Sequence, residues 1–146
     1  MFFLKDLPTG QMLRAYHDRF PEMETRAVKD ALRLLRRASL LMRELEAYFA
    51  AHALSQTRFL VLIVIDREPD RDSLLPSEIA DRLDVSRPVV TETIRTLEKA
   101  GLLGIRGGRD ARTKQVFLTP RGRDVLAALL PGYFALIGAF MGREAP

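Results

Sequence analysis

At 146 residues, with 47% hydrophobic and 29% charged side chains, the chain can form one compact domain, or a small domain plus an assembly region, and wholesale disorder is excluded. Cysteine is absent, which excludes disulfides, thiolate metal sites and a cysteine redox switch. The net charge of +4 is uneven: residues 86–123 carry nine basic and three acidic side chains, whereas residues 55–85 carry four and seven. Such a local basic excess suits a polyanion partner, because each cation set against a phosphate releases condensed counterions. A solvated basic face is the plainer alternative.

Residues 1–22, with breakers at Pro8-Thr9-Gly10 and Pro21, read as an N-terminal extension holding one short helix over 11–20. From Glu24 onward Val28, Leu32, Leu35, Leu41, Met42, Leu45 and Phe49 recur at helical spacings. A helix of roughly 30 residues is long for a small domain and needs something to pack along it. A second copy of the chain is an economical supplier. Tyr48 and Phe49 could line a ligand cavity, but core packing is their commoner use.

Ser55 is placed to cap a helix over 56–67. Its interior, Phe59–Ile65, is apolar on every side; it reads as a buried central helix, with a buried strand as the alternative. This is taken as the longest apolar run, far below the ~18 residues that cross a bilayer. Met1–Lys5 lacks the order of a signal peptide. A soluble, cytoplasmic protein with no membrane partner is therefore expected. Residues 66–73 read as a polar loop.

Pro76 suits the first position of a short helix, with Glu78 near its positive end and Ile79, Ala80 and Leu83 on its apolar side. Asp84-Val85 makes a tight turn, and Ser86 caps a second helix, 87–100, that Gly101 ends in a left-handed conformation. Val90, Ile94 and Leu97 fall on one face of it. Two short helices joined this way have helix-turn-helix geometry, in which the second helix enters the DNA major groove by its N-terminus. Arg87, Val89, Thr91, Glu92 and Arg95 face outward there, with Ser86 at the helix mouth, and they have the donors, acceptors and methyl groups that read base edges. An ordinary αα corner is the bland alternative.

Leu102–Arg106 and Gln115–Thr119 then read as two strands around a glycine-rich loop, 107–114, bearing Arg109, Asp110, Arg112 and Lys114. A basic hairpin beside a reading helix is a wing, and arginine at its tip suits the narrow minor groove. Residues 120–142 read as a last helix, interrupted at Pro131-Gly132 and exposing Leu129, Leu130, Tyr133, Phe134, Leu136, Ile137, Phe140 and Met141. The expected fold is mainly α with a small β-hairpin wing. A winged helix-turn-helix spans 55–119, and 23–54 with 120–146 form a helical dimerisation region.

Ser86-Arg87-Pro88-Val89-Val90-Thr91, Leu97-Glu98-Lys99-Ala100-Gly101-Leu102, Asp110-Ala111-Arg112-Thr113-Lys114 and Leu118-Thr119-Pro120-Arg121-Gly122 together resemble the MarR family of bacterial regulators in order and spacing. Tyr48-Phe49, Leu54-Ser55 and Arg58-Phe59 extend the resemblance, which covers about residues 26–142. It implies a homodimer on a pseudo-palindromic operator in double-stranded DNA, a repressor released by a small, frequently aromatic ligand. By position it implies that Arg87, Val89, Thr91, Glu92 and Arg95 meet bases or phosphates in the major groove. Arg112 becomes the minor-groove arginine, held by Asp110, while Arg106, Arg109 and Lys114 become phosphate contacts. The chain departs from the family at Leu75, where a hydroxyl cap is common, at Glu92, where a basic or neutral residue is common, and in its short C-terminus. The extension at 1–22 is expected to supply the missing dimer surface.

An enzyme is the first rival. Only His17 and His52 are available as bases, no phosphate loop or dinucleotide fingerprint appears, and no ligand spacing suggests zinc. No catalytic residue, cofactor or metal is expected, and the effector site is unassigned. A winged-helix adaptor or antirepressor without its own operator is the second rival, since fold does not fix function. The +6 stretch argues against it.

Overall fold

The computed structural model describes residues 1–107, 109, 110 and 112–143. They divide into two compact units, one of Met1–Leu45 with Ala135–Pro146 and one of Glu46–Phe134.

The first unit contains α1, Gly10–Arg19, most of α2, Thr25–Ala51, and the end of α6, Pro120–Gly142. Thr9 starts α1 by accepting from the Met12 amide at 3.2 Å. The N-terminal arm is tied down at two points. Ser39, buried on α2, accepts from the Phe2 amide and donates to the Phe2 carbonyl, both at 3.0 Å, and Leu13 is 3% exposed. The end of α6 is clasped from α2. Arg37 donates to the Met141 and Arg143 carbonyls at 3.2 and 3.1 Å, and Arg143 pairs with Glu44 at 2.9 Å. Cations at a helix C-terminus satisfy its last carbonyls and oppose its dipole.

The second unit is built on α3, Gln56–Asp66. The helical reading of Phe59–Ile65 holds over the strand alternative: Ser55 accepts from the Arg58 amide at 3.2 Å, and Phe59, Val61, Leu62, Val64 and Ile65 are buried. A helix apolar on all sides is stable only when covered on all sides, and α4, Pro76–Asp81, α5, Arg87–Lys99, and β3, Gln115–Leu118, pack against it. Phe59 stacks on Phe49 with ring centroids 4.7 Å apart and meets Tyr133 at 4.8 Å. These aromatics are core.

The wing strands are β2, Leu103–Arg106, and β3, antiparallel with Leu103 opposite Leu118 and Arg106 opposite Gln115. A third strand, β1, Ser73–Leu74, corrects the reading of 66–73 as loop throughout. It pairs with β3, giving the order β1-β3-β2. Two residues are too few to show alternation. What holds them is the full burial of Leu74 and a 2.9 Å bond from the Ser73 hydroxyl to Gln115 Oε1.

Three expectations for the last helix need correction. It is continuous from Pro120 to Gly142 with Pro131 inside. Leu129 and Phe140 are buried, Leu130, Tyr133, Leu136 and Ile137 are half-buried, and only Phe134 and Met141 of that set are exposed. The apolar run is also longer than Phe59–Ile65. Once Pro131-Gly132 no longer divides it, residues 125–142 form one stretch without a charged side chain. By length and composition α6 could cross a bilayer, and 17% of that stretch is buried.

Candidate nucleic-acid interface

The pair α4–α5 is placed by its apolar faces. Ile79 of α4 and Val90, Ile94 and Leu97 of α5 are buried, and α5 packs on α3, α4 and β2. With Val90, Ile94 and Leu97 of α5 spent on the core, the opposite face is left to solvent. Arg87, Val89, Thr91, Glu92 and Arg95 are all exposed, Val89 by 44%. Ser86 is exposed at the N-cap and its side chain makes no capping bond, so the cap role expected from its hydroxyl is not realised.

The start of α4 compensates for Leu75. Glu78, three positions on, accepts from the Leu75 amide at 2.9 Å and is gripped by both arms of Arg71 at 2.6 and 2.7 Å. Hydrogen bonding to Arg71, then to the Leu75 amide, holds the Glu78 carboxyl down to about 2. Arg82 fastens the other end, donating to the Glu78 carbonyl at 2.8 Å and pairing with Glu68 at 3.0 Å.

The wing is anchored by the residues that carry the last sequence motif. Thr119 donates to the Gly101 carbonyl at 2.6 Å and accepts from the Gly122 amide at 3.0 Å, capping α6 while bonding the end of α5. A Cβ on Gly122 would lie 2.1 Å from the Leu102 carbonyl oxygen, so only glycine permits this approach.

The structure brings some predicted residues together and parts others. Arg112 of the wing loop lies beside Arg87 and Thr91, with Pro76, Ser77, Ala80 and Val90, around a depression of about 240 Å³. Lys114, half-buried, joins Arg95 and Thr91 around a neighbouring one of about 270 Å³. Arg87, Thr91 and Arg95 of α5 and Arg112 and Lys114 of the loop thus share one basic surface. Asp110 holds the Arg112 segment through the backbone: its carboxylate accepts from the Arg112 amide at 3.2 Å, in place of the guanidinium contact expected. Arg109 is exposed. Arg106 is turned to another task, bonding Asp72 at 2.6 Å with its guanidinium 4.9 Å from the Phe117 ring centre.

Carboxylates hold several of these cations, in pairings that the sequence reading did not assign. Arg87 lies 3.5 Å from Asp81, and Arg95 is 2.9 Å from Glu92 on the next turn. The Glu92–Arg95 spacing of three on a helix was a legible signal; the Asp81 and Asp72 pairs cross elements and were not. Ser77, exposed on α4 beside Arg112, was also missed. Its signal was its place in the first turn of the first helix of the pair.

The MarR family model matches residues 54–113. The HTH-type transcriptional repressor YetL of Bacillus subtilis (strain 168) is 27% identical over 139 residues, covering 94% of this chain and 83% of its own. Among solved structures, Sco3205 from Streptomyces coelicolor, a MarR family transcriptional regulator in complex with DNA, has a TM-score of 0.67 at 19% identity and covers 97% of this chain and 80% of its own. BpsR from Bordetella bronchiseptica, whose DNA binding is regulated by 6-hydroxynicotinic acid, has a TM-score of 0.65 at 20% identity and covers 77% and 84%. The matched segment contains α3, the helix pair and most of the wing loop, and the fold around it is the same. Over residues 54–113 the chain matches the MarR family model, and its fold is that of the MarR winged helix-turn-helix structures.

Proposed function

We propose that the protein is a sequence-specific DNA-binding transcriptional regulator, a ligand-responsive repressor acting in the cytoplasm as a homodimer on a pseudo-palindromic operator. The observation that carries this reading is the convergence of Arg87 and Thr91 from α5 with Arg112 from the wing loop on one exposed surface. Arg87 supplies a fork for guanine or phosphate. The Thr91 hydroxyl spends its proton on the Arg87 carbonyl at 3.1 Å, leaving lone pairs and a methyl group to face a base edge. Val89 offers an apolar contact for a thymine methyl, and Glu92 an acceptor for cytosine. Ser86, Ser77, Arg95, Arg109 and Lys114 are assigned to the phosphates that fix register, and Arg112 to the minor groove. Arg106 is assigned a phosphate at the wing base once Asp72 yields.

The relatives support the repressor, DNA-binding and ligand-response parts of this reading: YetL is named a repressor, Sco3205 was solved in complex with DNA, and the DNA binding of BpsR is regulated by 6-hydroxynicotinic acid. The homodimer rests further on α6, whose uncharged stretch is only 17% buried within one chain and exposes Phe134 and Met141. A second copy would bury it.

Selection of genomic fragments with the purified protein, followed by titration of the winning site at two salt concentrations, tests the proposal. The expected result is a pseudo-palindrome with half-sites about one helical turn apart. Arg112→Ala should weaken binding and lower the salt slope by about one. If no fragment is enriched and binding is insensitive to salt, the protein is an adaptor that meets other proteins through the same surface.

A further inference from the structure

Outside the basic surface, the first unit holds a cavity of about 400 Å³ between the N-terminal arm and α2, and all its lining residues belong to that unit. Its charge is one-sided. Lys5 from the arm and Lys29, Arg33 and Arg36 from one face of α2 line it, and no carboxylate does. Among the described residues none of these four cations forms an ion pair or hydrogen bond with the protein. Arg36 is the telling one: its Nη1 is occluded from solvent and has no acceptor. A buried guanidinium nitrogen without an acceptor is costly, and a charge-assisted bond to an anion would remove the cost. The rest of the lining is aliphatic, Leu13, Leu32 and Leu40 among it, with no aromatic ring.

We propose that this cavity binds a medium-chain aliphatic carboxylate, its head group on Arg36 with Lys29 and Arg33 beside it and its hydrocarbon chain against the leucines. An apolar cavity of roughly 150 Å³ takes one benzene, so about 400 Å³ accommodates a chain on the order of ten carbons. The arm forms one wall and is fastened at both ends, by Phe2 on Ser39 and by buried Leu13. The wall is therefore in place before the ligand arrives, which spares the ordering cost of building it on binding. The site stands apart from the reading of the α5 surface and holds whether or not the protein is a repressor.

The test is calorimetric titration of the full chain with decanoate below its micellar range, without DNA, beside decanol as the uncharged control. Saturable binding of one decanoate per chain is expected, with decanol at least about tenfold weaker, because a hydrogen bond to a charged group is worth more than that factor. Arg36→Met should weaken decanoate by about tenfold or more. Should that variant lose its helical circular dichroism, the exposed pair Lys29→Met/Arg33→Met supplies the second reading and should weaken decanoate while leaving decanol unchanged. Absence of saturable decanoate binding, equal affinity for decanol, or indifference to every folded variant overturns the proposal. So does binding only to vesicles of an anionic phospholipid, which would make the four cations a lipid-surface patch.

Discussion

Leu54 and Leu102 close two helices by the same device. In each, the amide of the residue three past the helix end reaches back to a carbonyl in the last turn: Leu54 to Phe49 at 2.8 Å, Leu102 to Leu97 at 3.0 Å. The residue between must then be left-handed. At 101 it is glycine, φ 77°, and at 53 it is alanine, φ 57°. Ala53→Gly should therefore raise stability by roughly 0.5–1 kcal/mol and Gly101→Ala lower it by about as much, both read from urea midpoints. Equal and opposite shifts identify backbone conformation as the cause, since neither change removes a packed side chain. Glu78 is a second residue whose effect has a definite sign. Its folded pKa, about 2, lies below the ordinary 4.5, so its contribution is complete above 4.5 and fades as pH falls from there toward 2. Glu78→Ala should cost about 1 kcal/mol at neutral pH, chiefly through the Leu75 amide, since the Arg71 pair is screened by solvent. The gap between variant and parent should close as unfolding is followed from pH 5 down to pH 2.

At the scale of elements, α5 buries one face in the core, and its other face is the proposed DNA-reading surface. Its own Glu92 holds Arg95, and Asp81 of α4 stands 3.5 Å from Arg87. Before either cation meets a phosphate it must leave a carboxylate, and that lowers affinity for backbone regardless of sequence. Glu92→Gln should accordingly tighten binding to a random-sequence duplex, by no more than about fivefold, since an exposed pair is worth at most about 1 kcal/mol. Fluorescence anisotropy at low salt checks this. Unchanged or weaker binding would mean that Glu92 faces away from the phosphates.

For the whole chain the unmet demand is the apolar surface of α6 and of the N-terminal extension. Phe134 and Met141 on α6 are 61% and 56% exposed, and Phe3 and Tyr16 in the extension are 75% and 52% exposed. Scattered exposed apolar residues are ordinary, but groups of large ones mark an interface. If a second copy covers them, Phe134→Glu should shift the sedimentation profile from dimer toward monomer at micromolar concentration. Deleting residues 2–22 should do the same in part, if the extension joins the contact between copies. A profile unaltered by both changes would place the contact between copies elsewhere.

Much of this was readable from residue order. The recurrence of Val90, Ile94 and Leu97 fixes which side of α5 is buried, so the outward set Arg87, Val89, Thr91, Glu92 and Arg95 follows from helical period alone. Ser55, Gly101 and the Leu118–Gly122 motif mark ends, because caps and left-handed residues act within a few positions of themselves. What only the tertiary structure decided lies where distant segments meet. The strand at Ser73-Leu74 exists because β3 is there to pair with it. Pro131 stays inside a helix because packed neighbours on both sides of it outweigh one lost backbone bond. Arg106 is drawn to Asp72, and Arg112 to the flank of α5, by groups tens of residues away. The cavity beneath the N-terminal arm needs Lys5 and Arg36 on facing walls, and no local pattern encodes that. Local sequence carries conformational preference and periodicity; which charges pair and which apolar faces stay uncovered depends on contacts that exist only once the chain is folded.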